Sequence, residues 1–133
     1  MKVYVFGNKD LGLDNKAFVA QKKLSAIFPQ IQFVQVAPNA DLPFEPDEHF
    51  YILDAVEGIE EPTLIEDSDL DKLVNTASVS VHDFDLGFQL KYLKKLGKLG
   101  NVTIIGLPMG KRLNYLRIQS IFKKLVAQDI QGS

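Results

Sequence analysis

The sequence predicts an α/β domain, a three-layer sandwich with a mostly parallel central sheet and helices on both faces. Three observations lead there. Runs of β-branched and aromatic residues at 3–6, 31–36, 49–53 and 102–107 read as strands. Stretches with apolar residues three and four apart alternate with them, as amphipathic helices do. The first, third and last strands are apolar almost throughout, the pattern of strands covered on both sides.

The first strand, Val3 to Phe6, breaks at Gly7-Asn8, passes Gly12 and reaches Asp14 just before a helix. Asp14 or Asn15 is placed to cap that helix, whose apolar positions are Ala17, Ala20, Leu24, Ile27 and Phe28. Pro29 ends it. Ile31 to Val36 is the second strand, with Ile31 and Phe33 on one face against Val34 and Val36 on the other. A strand, helix and strand of these lengths make a right-handed parallel crossover.

Pro38 to Glu48 holds three prolines and four acids and reads as a surface loop. His49 to Leu53 is the third strand, and it delivers Asp54 at its carboxyl end. Seven acids then crowd the stretch from Glu57 to Asp71, around a small apolar run at Pro62-Thr63-Leu64-Ile65 that suits a short edge strand. Further on, His82 stands where a helix with Leu86, Leu90 and Leu93 begins and Gly97 ends it. Val102 to Leu107 is the last strand, and Ile118, Ile121, Phe122 and Leu125 define a final helix packed on the sheet.

A length of 133 residues with 46% hydrophobic content suits one domain over residues 1–133 with one core. The net charge of −2 supplies no basic footprint for a phosphate backbone, so nucleic acid is not an expected partner. The absence of cysteine rules out disulfides, thiolate metal sites and cysteine nucleophiles. No apolar run has the length of a membrane span or the form of a signal peptide, and a cytoplasmic protein without a membrane partner is the expectation.

In an open α/β sheet, chemistry gathers beyond the carboxyl ends of the strands. Asp14, Asp54 and His82 are all expected at that edge. Two carboxylates and an imidazole form a donor set for a first-row divalent ion, with positions left open for water or substrate. A helix N-terminus disfavours added positive charge, which keeps the His82 imidazole in its neutral, ligating form. Asp83 or Asp85 is placed to cap that helix or to orient the ring. Each residue also has a plainer explanation: Asp14 and Asp54 as caps or turn formers, His82 as a satisfied polar group. His49 lies five residues before Asp54 on the same strand, about 16 Å away at the opposite edge, so it is structural or solvent-exposed. Gly7 to Gly12 lacks the third glycine of a dinucleotide loop, and no acid follows at the ribose-binding distance.

With Gly7-Asn8, Asp14, Ile52-Leu53-Asp54-Ala55 and His82 in view, the chain resembles the hydrogenase maturation endopeptidases, the nickel-dependent processing proteases of the [NiFe] hydrogenase large subunit. The order of these features is the family's, and Thr103 to Pro108 is similar to its strand ending in a glycine and a proline. The resemblance implies that Asp14, Asp54 and His82 are the metal ligands and that Asp14 and Asp54 are candidate catalytic groups. It implies a protease that recognises nickel already installed in the large-subunit precursor and removes a C-terminal extension, so that the substrate supplies the metal. Lys9-Asp10 and Ala17 stand where the family carries an apolar pair and a glycine. Those departures motivate the alternative, a non-catalytic metal- or protein-binding module that retains the fold.

Overall fold

A computed structural model of the chain describes residues 1–6, 16–36, 49–56, 59–66, 101–109 and 112–132. Strands form where β-branched and aromatic residues cluster: β1 at Lys2–Val5, β2 at Gln32–Gln35, β3 at Phe50–Val56, β4 at Thr63–Glu66 and β5 at Val102–Pro108. They join in one sheet of order β2-β1-β3-β5-β4. Every pairing is parallel except that of β4, which runs antiparallel along the outside of β5. The small apolar run inside the acidic stretch therefore does become an edge strand.

The two described helices are α1 at Lys16–Ile27 and α2 at Tyr115–Gly132. Both bury their apolar stripe against one face of the sheet. Ala17, Phe18, Ala20 and Leu24 of α1, with Phe28 just beyond it, and Ile118, Ile121, Phe122 and Leu125 of α2 pack there on Val3, Val5, Tyr51, Leu53, Ile105 and Leu107. Phe122 is wholly buried, and tilted ring contacts at 6.0 Å to Phe28 and 6.1 Å to Phe33 tie α2 to the end of α1 and to β2. The residue before a proline disfavours helical geometry. Accordingly α1 stops at Ile27, one residue short of Phe28-Pro29, and a turn closed by Ile31 N–H to Phe28 O at 3.1 Å leads into β2.

Side chains alternate across a strand, so the opposite face carries the complementary set: Tyr4, Phe6, Val36, Phe50, Ile52, Val56, Val102 and Ile104, all buried. No described helix packs on it. The leucine-bearing helix expected from Leu86, Leu90 and Leu93 lies outside the described residues, as does the loop from Pro38 to Glu48.

One boundary differs from the sequence reading in a way that bears on the site. The third strand was expected to finish at Leu53 with Asp54 just past it, but β3 runs on to Val56. The reason is β5. It is long enough to pair Asp54, Ala55 and Val56 with Gly106, Leu107 and Pro108, while the pairing of β1 with β3 ends at Val5 and Leu53. Asp54 is thus at the end of the sheet on its β1 side and still within it on its β5 side.

Candidate active site at the carboxyl rim

From β1 the chain steps outward to β2 and then returns to the other side of β1 to lay down β3, so the winding reverses between β1 and β3. A reversal of this kind opens a crevice at the carboxyl ends of the two strands, where ligands bind in open α/β sheets. Among the described residues, Phe6, whose N–H donates to Leu53 O at 3.0 Å, and Asp54 stand at its mouth. The strand thus sets its acid at the crevice.

Asp54 is 2% exposed, one of two polar residues in the described core. Alternation puts its side chain on the face shared by Ile52 and Val56, with Gly106 as its register partner on β5. A carboxylate withdrawn from water among apolar groups is costly unless donors or an opposite charge meet it. Buried ionisable groups in a crevice are also where functional acids concentrate, although structural networks bury them too.

Gly106 shapes the β5 flank of that acid. A Cβ at this position would lie 3.1 Å from Val56 Cγ2, 3.4 Å from Ile59 Cδ1 and 3.5 Å from Ile65 Cδ1. The three side chains close over the glycine and form an apolar wall beside Asp54.

Asp14 and His82, the other two residues of the expected donor set, lie outside the described residues. Among the described residues, no group of three or more His, Asp or Glu is arranged to hold a metal ion. Of the three, Asp54 alone is among the described residues, and it follows the last β1–β3 pair, Val5 and Leu53.

The other end of the sheet carries a separate polar group. His49 Nε2 lies 2.9 Å from Thr103 Oγ1, and that hydroxyl donates to Glu66 Oε2 at 2.9 Å. With the hydroxyl proton committed to the carboxylate, the Thr103 oxygen accepts from the imidazole N–H, which fixes that tautomer. The His49 ring stacks on Tyr51 at 4.4 Å between centroids. Burial, then the negative charges of Asp129 and Glu66, raise the Tyr51 pKa above its usual value. His49 stands just before β3, exposed yet held by Thr103 and Tyr51, at the opposite end of that strand from its carboxyl rim. Thr103 was missed as a polar anchor because it sits in an otherwise apolar strand, Val102-Thr103-Ile104-Ile105. Its only signal was that interruption.

No protein-family model matches the sequence, and no curated protein matches it significantly. Solved structures do share the fold. Over 100% of this chain and 100% of the other, it superposes on a [NiFe] hydrogenase maturation protease, HybD from Thermococcus kodakarensis, with a TM-score of 0.57 and 15% identity. The solution structure of an endopeptidase from Escherichia coli matches with a TM-score of 0.60 and 15% identity, over 99% of this chain and 94% of that one. At such identity the common property is the fold, held from one end of the chain to the other.

Proposed function

We propose that the protein is an endopeptidase that removes the C-terminal extension of a [NiFe] hydrogenase large-subunit precursor after nickel insertion. The observation that carries this reading is Asp54, a buried acid at the reversal point of a sheet whose fold is shared end to end with two peptidases. Nickel belongs to the substrate in this scheme. Asp14, Asp54 and His82 complete the coordination of the ion that the precursor carries, and a mixed oxygen and nitrogen donor set suits a first-row divalent metal.

Binding the precursor through its metal holds the scissile peptide at the rim. The ion supplies Lewis-acid polarisation of a carbonyl, and Asp14 or Asp54 takes a proton from the attacking water. The apolar neighbours of Asp54 keep bulk water from its sheet side, which strengthens its interaction with any charge brought to it.

Incubation of the purified protein with nickel-loaded precursor should release the C-terminal peptide, read by mass spectrometry, and Asp54→Asn should abolish release. No cleavage under conditions where an established maturation protease cuts the same precursor would reject the activity. The departures at Lys9-Asp10 and Ala17 favour one second reading, a binding module without catalysis. In that case the precursor is bound but left intact, with unchanged affinity in His82→Ala.

A further inference from the structure

We infer that Thr103 and Glu66, oriented by His49, form a side-chain latch that fixes the register of β4 on β5, and with it the residues that flank the carboxyl rim. The inference stands apart from the role proposed above for Asp54. The latch crosses three strands at the amino end of the sheet. His49, just before β3, donates from Nε2 to Thr103 Oγ1 at 2.9 Å, and that hydroxyl on β5 donates to Glu66 Oε2 at the end of β4, also at 2.9 Å. By occupying the threonine oxygen as an acceptor, the imidazole directs the hydroxyl proton to the carboxylate. Thr103 is 2% exposed, and Glu66 is its register partner on β4, so the two groups face one another directly.

The burial pattern alone leaves the register open in one direction. β4 is four residues long, with Leu64 packed on the helix-bearing face of the sheet and Ile65 on the other. A slip by one residue exchanges those faces and is excluded. A slip by two keeps them. Toward the carboxyl end of β5 it would set Asp67 against the buried Ile104, which is costly for a charge. Toward the amino end, Ile65 would meet Val102, Thr63 would meet Ile104 and Leu64 would meet Thr103, so apolar residues stay opposite apolar residues. What that alignment gives up is the charge-assisted bond, because the strand moves by about 7 Å and brings Leu64 opposite the hydroxyl instead of Glu66. The latch therefore decides between the two alignments.

The choice reaches the carboxyl rim. In the observed register Thr63 pairs with Gly106, the partner of Asp54, and Ile65 Cδ1 lies 3.5 Å from where a Cβ of Gly106 would stand. In the slipped register Glu61 takes the place of Thr63, and a second acid enters the ladder at the level of Asp54.

The test reads amide hydrogen exchange and cross-strand backbone NOEs in wild type, Thr103→Val, Thr103→Ser and Glu66→Leu. Wild type should pair Ile65 with Ile104 alone. Thr103→Val, which keeps the shape and removes the hydroxyl, should add pairing of Ile65 with Val102 and accelerate exchange in β4 about tenfold relative to β1, as for loss of one hydrogen bond to a charged group. Thr103→Ser should behave as wild type. Glu66→Leu, at an exposed position, should reproduce the effect of Thr103→Val, and the double variant should lose no more than either single one. Unchanged pairing and exchange in β4 would overturn the inference. So would equal acceleration in every strand, since Thr103 would then support the core at large, and so would additive losses in the double variant. Should Thr103→Val fail to fold, Glu66→Leu decides by the same two readings.

Discussion

Tyr51 shows how a residue far from the rim affects the behaviour of the protein. Its hydroxyl is hard to ionise because the ring is buried and the carboxylates of Asp129 and Glu66 lie near. The folded chain then holds a proton that the unfolded chain releases once the pH passes the ordinary tyrosine value of about 10. Stability from this source is complete below that pH and declines as the pH rises through the higher folded value. Tyr51→Phe should therefore flatten the alkaline loss of stability, measured as the denaturant midpoint at alkaline pH relative to neutral. Tyr115, also raised by burial, contributes a remainder of the same sign. Identical alkaline losses in wild type and variant would contradict this account. At this scale the sequence was readable where chemistry and pattern coincide. Asp54 interrupts an apolar run and so stood out, although the strand carries on past it. Gly106 did not announce itself, because a strand glycine is recognised only by the neighbours that fill its space.

Element boundaries were set by partners as much as by local residues. Pro29 stops α1 by its own chemistry and was read correctly, whereas β3 lengthens by three residues because β5 offers them bonds, information that no window around Asp54 contains. The start of α2 was legible and went unread. Asn114 Oδ1 accepts from the Arg117 N–H at 3.2 Å, a side-chain cap on the first turn, while the Ile118 N–H donates to Asn114 O at 3.0 Å. Removing the cap in Asn114→Ala should cost about 1 kcal/mol, visible as a lower thermal midpoint, and Asn114→Asp should retain most of it. Equal midpoints in all three proteins would show that water replaces the cap.

For the whole molecule, the sheet order makes a prediction of its own. β3 and β5 are paired on both sides and buried along their full length, while β2 and β4 have a described partner on one side only. Amide hydrogen exchange should be slowest in β3 and β5 and faster in β2 and β4, since opening free energy rises toward the centre of a packed sheet. Equal protection across the five strands would reveal that β2 and β4 are covered as fully as the centre. The architecture itself was well signalled, because strands buried on both faces and helices with one apolar side leave few ways to pack. The meeting of Asp14, Asp54 and His82 was a different kind of expectation. It joins points far apart in the chain, and two of them lie outside the described residues.

The unequal lengths of the two ladders beside Asp54 divide responsibilities between the neighbouring strands. The acid takes its backbone pairing from β5, whose run to Pro108 is buried along its length. A change along β5 is consequently transmitted to Asp54 through a backbone pairing that β1 does not share.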